Sequence, residues 1–254
     1  PGDEVIFTPA GPAGGGSIDE ILPRKNVLVR PAIANADQLL IVVSASKPAV
    51  DYSLVDKLLI YALHSGLPSA IGINKADQAD EEQCQQIAKR YEKSGAQVLF
   101  FSARTGYGME QVRKLLEGKC TCLAGQSAVG KSSLLNALCP ELRLETGGMS
   151  RKTSRGRHTT RHSELLYLHE RNAVVADTPG FSILEALELE PEELRDCYPE
   201  FYGKNCRFDS CLHYKEPGCE VIKSVQEGEI PAARYEGYLK ILMELFERRE
   251  TRYD

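Results

Sequence analysis

The sequence predicts an α/β protein, with a mostly parallel sheet covered on both faces. A short β segment precedes that sheet and a helical, cysteine-bearing segment follows it. Three observations predict this. Short apolar runs alternate with helix-length amphipathic stretches, the pattern of strands buried on both sides. One of these runs opens into a glycine-rich turn and then a helix, a ready anion-binding arrangement. After about Leu184 the composition turns acidic and then gathers three cysteines and a histidine.

Composition sets the bounds. The chain has 254 residues, 42% hydrophobic and 26% charged, an ordinary globular balance that excludes wholesale disorder and makes two or three domains comfortable. The most apolar run, Leu39–Val43, is strand length, far below the roughly 20 residues of a membrane span. The start, PGDEVIFTP, has neither a basic region nor a long apolar one, so the sequence reads as soluble and cytoplasmic. It lacks an initial Met, which reads as a trimmed N-terminus. A net charge of −5 argues against bulk nucleic-acid binding, yet a basic patch can hide under a negative total. Residues 143–171 carry seven Lys/Arg against three Glu, and three of the five histidines.

Along the chain, EVIFTP and SIDEIL read as a hairpin around PAGPAGGG; two strands bury no core alone. From Ala34 the strands QLLIVVS, SAIGINK, AQVLFFSA, KCTCLAG and NAVVADTPG each end in a polar or glycine-rich turn. SLVDKLLIYALHSG and EEQCQQIAKRYEKSG are helical, each closed by a C-terminal glycine. An acidic helix is expected after Leu184 and a charged helix from Ala232 onward. The resulting division is 1–33 (partial β), 34–184 (α/β) and 185–254 (helical, metal-bearing).

Gly125-Gln126-Ser127-Ala128-Val129-Gly130-Lys131-Ser132 fits G-x-x-x-x-G-K-[ST], with a strand before it and the helix KSSLLNAL after it. Backbone N–H groups curl around phosphate oxygens in such a loop, Lys131 reaches the β- and γ-phosphates, and the Ser132 hydroxyl binds Mg²⁺. Ser133 belongs to the same helix start. Asn74-Lys75-Ala76-Asp77 ends a strand. A carboxylate there accepts from both the ring N–H and the exocyclic amine of guanine, Lys75 lies along the base, and Asn74 ties the turn to the phosphate loop. The segment Phe101-Ser102-Ala103, one strand later, completes the base pocket. Asp177-Thr178-Pro179-Gly180 reads as D-x-x-G: Asp177 holds Mg²⁺ through water and the Gly180 N–H senses the γ-phosphate. In the intervening GRHTT, Thr160, or else Thr159, completes the Mg²⁺ shell.

Cys206, Cys211, His213 and Cys219 supply three thiolates and an imidazole within fourteen residues. Four such ligands suit one tetrahedral zinc with no open position, hence a structural role. Disulfides are the alternative. Cys84, Cys120, Cys122 and Cys139 sit in apolar or helical stretches and read as buried hydrophobes.

The order of these motifs is the diagnostic feature. NKAD and SAR precede the phosphate loop, the reverse of ordinary small GTPases, so the chain is circularly permuted. On NKAD, FSARTG, GQSAVGKSSL, GRHTT, DTPGF and the metal cluster, it resembles the circularly permuted GTPases, specifically the bacterial ribosome small-subunit-dependent GTPase A family. The resemblance implies a permuted P-loop GTPase domain, a partial OB-fold in residues 1–33 and a zinc-binding C-terminal domain whose ligand spacing it matches. It further implies slow GTP hydrolysis, late assembly of the small ribosomal subunit, contact with rRNA, a monomer and a cytoplasmic location. Phe181 stands where Ras-like enzymes carry the water-orienting glutamine. His158 is the substitute that the resemblance favours; a phosphate contact is its other reading. Arg207, Lys215 and Lys223 flank the metal cluster and suit either a phosphate-facing surface or plain solvation. A nucleotide-gated rRNA-binding scaffold with incidental hydrolysis is the runner-up, and a metal-stabilised GTPase unrelated to ribosomes a third reading.

Overall fold

The computed structural model describes residues 1–11, 14–28, 32–142, 164–177 and 189–253. Its strands are β1 (Val5–Thr8), β2 (Ser17–Ile21), β3 (Val27–Leu28), β4 (Ile33–Ala34), β5 (Gln38–Ser44), β6 (Ser69–Asn74), β7 (Gln97–Phe100), β8 (Cys120–Ala124), β9 (Glu164–Leu168) and β10 (Ala173–Asp177). Its helices are α1 (Tyr52–His64), α2 (Glu81–Tyr91), α3 (Met109–Leu116), α4 (Lys131–Leu138), α5 (Pro191–Leu194), α6 (Glu220–Gln226) and α7 (Ala232–Tyr253). None of the described helices is long and apolar enough to cross a membrane.

Six strands form the central sheet in the order β7-β6-β5-β8-β10-β9. All neighbours are parallel except β9, which pairs antiparallel with β10 at the edge. The fully buried β5 shows why its sequence is a continuous apolar run. Leu39, Ile41 and Val43 join one buried cluster with Leu58 of α1 and Ile87 of α2. Leu40 and Val42 join the opposite cluster with Val112 of α3 and Leu134 of α4. Strand alternation thus feeds two faces at once. Gln38, the one polar residue of the inner β5 run before Ser44, is satisfied by donating to the Leu115 carbonyl and the Thr121 hydroxyl.

The helix starts are locally encoded. Asp51 caps α1 by accepting from Leu54 N, and Asp80 with Gln83 forms a reciprocal capping box on α2. The N-terminal residues form the expected antiparallel hairpin β1–β2, with Ile6, Phe7, Ile18 and Ile21 exposed, and a second short pair, β3–β4. The acidic stretch after Leu184 is less helical than expected. Among the described residues it contributes only the single turn α5 and two 3₁₀ turns, at Arg195–Cys197 and Pro199–Phe201. Pro191 and Pro199 open two of these short turns, the first-turn positions where a missing N–H costs nothing.

The C-terminal segment shares a core with the sheet domain. Leu194, Tyr198, Phe201, Tyr238 and Leu242 lie in the same buried cluster as α1 and α2. At its centre Arg234 of α7, fully buried, donates to Asp56 of α1 at 2.6 Å and to Glu200 at 2.7 Å. Arg90 of α2 reaches the other Asp56 oxygen at 3.1 Å. The Arg234 guanidinium also lies 4.1 Å from the Tyr198 ring centroid, a favourable cation–π geometry. The backbone of α7 comes close here: a Cβ on Gly237 would fall 2.2 Å from Asp56 Oδ2.

Removing one partner of a buried charge cluster leaves the others uncompensated. Arg234→Ala is therefore expected to lose about 3–5 kcal/mol in equilibrium urea unfolding. Arg249→Ala, whose partner Glu192 lies on the surface, is expected to change stability by less than about 1 kcal/mol.

Candidate functional site

Because β5, β6, β7, β8 and β10 run parallel, their carboxyl ends share one edge of the sheet, the edge where open α/β sheets bind ligands. The phosphate-loop strand β8 sits between β5 and β10, although it follows both β6 and β7 in sequence. Its loop begins at Gly125, φ +137°, where a Cβ would meet the Val42 carbonyl oxygen at 2.2 Å. Ala128 also takes a left-handed conformation, φ +64°, and Gly130, φ +99°, caps the N-terminus of α4. Successive turns of this kind aim backbone N–H groups inward. Lys131 begins α4 and folds back over the loop, donating to the carbonyls of Gly125 at 2.6 Å and Gln126 at 2.8 Å. Ser132 and Ser133 follow it in the first turn, partly buried, while Ser127 is exposed and Val129 is buried in the core beneath.

Asn74, the last residue of β6, is buried and joins three loops. Its Nδ2 donates to the Val129 carbonyl at 2.9 Å. Its Oδ1 accepts from Lys75 N at 2.8 Å and Ala103 N at 3.1 Å. Lys75, at φ +62°, extends along the phosphate loop to donate to the carbonyls of Lys47 at 2.5 Å and Ala128 at 2.8 Å. The two loops are close enough that a Cβ on Gly130 would sit 2.3 Å from Asn74 Nδ2. Asp77 lies in the 3₁₀ turn Ala76–Gln78. The Ser102 hydroxyl first, and then Arg104, hold its carboxyl below the usual carboxylate range. NKAD, the Ser102–Ala103 turn and the phosphate loop therefore form one constellation.

Asp177 ends β10, its backbone in register with Leu123 of β8. Thr178, Gly180, Phe181, His158, Thr159 and Thr160 lie outside the described residues, as does most of the basic segment and the 184/185 boundary.

The C-terminal cluster is compact. The ligand atoms of Cys206, Cys211, His213 and Cys219 all lie within 4.8 Å of one another. His213 Nδ1 is 3.5 Å from Cys206 Sγ and 3.4 Å from Cys219 Sγ, and those two sulfurs are 3.9 Å apart. Ligands at zinc's bond lengths on a tetrahedron stand about 3.5–3.8 Å apart, so the set fits a metal. Disulfide sulfurs are bonded at about 2.05 Å, and all eight cysteines are free. Burial lowers the His213 pKa, favouring the neutral imidazole that ligates, and pushes the Cys211 thiol up to about 12; a cation supplies the charge that makes the thiolate favourable. The surroundings fix the loop. Tyr235 donates to the His213 carbonyl at 2.7 Å and Tyr238 to that of Leu212. Glu216 accepts from Leu212 N and Tyr214 N, both at 2.8 Å.

Three features escaped the sequence reading. The Gln126 side chain clamps the phosphate loop to the entry of α1, accepting from Asp51 N at 2.8 Å and donating to the Ala49 carbonyl at 2.9 Å. Arg104 reaches Asp77. Arg234 looked like any charged residue of a polar helix; its only signal was its place among Tyr235, Tyr238 and Leu239, on the apolar side of α7.

The model of the RsgA GTPase family matches residues 21–187. The chain belongs to the RsgA GTPase family. Its reaction class is accordingly GTP hydrolysis. A relative from Caldanaerobacter subterraneus, named small ribosomal subunit biogenesis GTPase RsgA, is 45% identical over 240 residues, covering 94% of this chain and 81% of the relative. The relative of that name from Thermotoga maritima is 42% identical over 251 residues, covering 98% and 84%. Among solved structures, YjeQ from Thermotoga maritima superposes with a TM-score of 0.81 at 39% identity, covering 96% of this chain and 84% of that one. YloQ, described as a circularly permuted GTPase, gives 0.77 at 36% identity, covering 97% and 80%.

Asn74→Ala strands the Val129 carbonyl and the Ala103 N–H in a buried position. The nucleotide-free protein is expected to lose about 1–3 kcal/mol in urea unfolding. Asn74→Asp keeps an acceptor for Ala103 N but sets a carboxylate oxygen against the Val129 carbonyl, and is expected to lose at least as much.

Proposed function

We propose that this chain is a GTP hydrolase acting late in the biogenesis of the small ribosomal subunit, with hydrolysis stimulated by that subunit. The observation that carries the reading is the bond from Asn74 to Val129. It joins a guanine-selecting turn to a phosphate loop on one sheet edge, despite their reversed order in the chain. The printed names of the relatives support the ribosomal assignment.

In this reading Asp77 accepts from the guanine N1–H and exocyclic amine, Lys75 lies along the base, and Asn74, Ser102 and Ala103 hold the pocket. The N–H groups of residues 125–130 surround the phosphates. Lys131 exchanges its carbonyl partners for phosphate oxygens, where it neutralises the charge that grows during transfer. Ser132, Asp177 and Thr160 (or Thr159) hold Mg²⁺, which supplies charge neutralisation when bound. The position of Ser132 in the first turn of α4 and the end of β10 at Asp177 are compatible with that set. Gly180 senses the γ-phosphate and His158 orients the attacking water, because Phe181 has no group to do so. Cys206, Cys211, His213 and Cys219 hold one structural zinc; their spacing in the fold supports it.

Residues 34–184 are the permuted GTPase domain and 185–254 the zinc-bearing domain. Residues 1–33 are the closing strands of an OB-fold, supported by the exposed apolar residues of β1–β2. The protein works as a cytoplasmic monomer, and the basic 143–171 segment, with Arg207, Lys215 and Lys223, faces rRNA. Phe181 favours a second reading, a nucleotide-gated rRNA-binding scaffold with incidental hydrolysis.

GTP turnover measured with and without purified small subunits is expected to rise strongly with them; equal rates refute the proposal, and binding without stimulation favours the scaffold. In single-turnover assays with subunits, His158→Ala is expected to slow hydrolysis by about a hundredfold or more, the scale of a positioned general base. An unchanged rate removes His158 from catalysis. Elemental analysis is expected to find one zinc per chain, and Cys211→Ser to lose it together with the thermal stability of the C-terminal segment.

A further inference from the structure

Guanine selection by a carboxylate needs both of its oxygens turned to the base, and here, besides the Ser102 hydroxyl, a cation already sits on one of them. Arg104 Nη2 donates to Asp77 Oδ2 at 2.6 Å, a charge-assisted contact of the short, strong kind. The two partners differ in freedom. The Asp77 side chain keeps 13% exposure while that of Arg104 keeps 71%. The backbone on both sides is pinned: Ala76 N donates to the Phe101 carbonyl at 3.2 Å, and Ala103 N to Asn74 Oδ1 at 3.1 Å. Of the two, the arm of Arg104 is the more exposed and Asp77 the more closely held.

We propose that Arg104 is a counter-ion gate on the base-selecting carboxylate: it occupies Asp77 in the nucleotide-free protein, and guanine must displace it to bind. This rests on the reading of Asp77 as the guanine acceptor. The gate adds a cation to a carboxylate that otherwise has the Ser102 hydroxyl as its partner, and it tunes the affinity for guanine nucleotides without touching the phosphates. Its effect falls equally on GDP and GTP, because they share the base. It falls on association, because the ion pair must break before the carboxylate can accept. Exposed ion pairs are weak, so the gate tunes affinity and does not close the site.

The test measures GDP, GTP and ADP binding to the full chain by calorimetry and stopped-flow fluorescence. Arg104→Ala is expected to bind GDP and GTP about two- to fivefold more tightly at low salt, mainly through faster association, with ADP still rejected. The gain should shrink as ionic strength rises and screens the pair, and Arg104→Lys should keep most of the wild-type behaviour. Unchanged or weaker binding by Arg104→Ala overturns the gate; weaker binding would mean that the guanidinium holds the base instead. Asp77→Asn separates this failure from that of the underlying reading. If Asp77 pairs with the base, Asp77→Asn exchanges guanosine for xanthosine diphosphate preference, and Arg104→Ala has no effect in that background. If no exchange occurs, the guanine reading of Asp77 fails and the gate with it.

Discussion

The carboxamide of Asn74 holds together what the order of the chain separates. It leaves the end of β6, donates to Val129 in the phosphate loop and accepts from Ala103 after β7. Neither neighbouring loop is covalently close: Val129 lies 55 positions away along the chain and Ala103 lies 29. A buried amide satisfied on both ends resists displacement because any unpaired partner bears a desolvation cost. The NKAD turn and the glycine-rich loop thus keep a fixed spacing, which is what preorganisation of a pocket requires. Lys75, donating to Lys47 and Ala128, adds a second fastening along the same seam.

A second fixed point ties the sheet to the segment that carries the Cys₃His cluster. Asp56 of α1 stands between Arg90 and Arg234, and α7 carries the two tyrosines that hold the His213 and Leu212 carbonyls. The N-terminus of the same helix is capped by Asp51, whose N–H is gripped by Gln126. A contiguous series of bonded groups therefore runs from the glycine-rich loop, through α1 and then α7, to the Cys₃His cluster. Such a series supplies the contacts along which two sites bias one another, while coupling itself is a matter of measured free energies.

Much of this was legible in the residues. β5 and β6 were plain because their apolar runs are continuous, and β10 because AVVAD ends at a turn signal. α1 and α2 announced their starts with Asp51 and Asp80. The glycine-rich loop after β8 and the NKAD turn after β6 were legible as turns at strand ends, and the structure brings them together. What remained hidden was tertiary. The edge strand β9 carries no distinctive pattern beside a polar turn, and α5 is one turn where an acidic run suggested a helix. Asp56 and Arg234 lie 178 positions apart, so each alone reads as surface charge. Local patterns encode elements; a salt bridge across two elements has no local signature.

The sheet order also bears on how the molecule is made. Synthesis proceeds from the N-terminus, so β5, β6 and β7 emerge first and can pair as a three-stranded parallel ribbon. The strand that belongs beside β5 is β8, which leaves the exit tunnel only after all three, and β10 later still. Until then β5 presents an open edge, with every one of its side chains apolar or destined for burial, the kind of edge that recruits wrong partners. The rotated order thus lets the NKAD side of the sheet take shape in the nascent chain well before the glycine-rich loop after β8 exists.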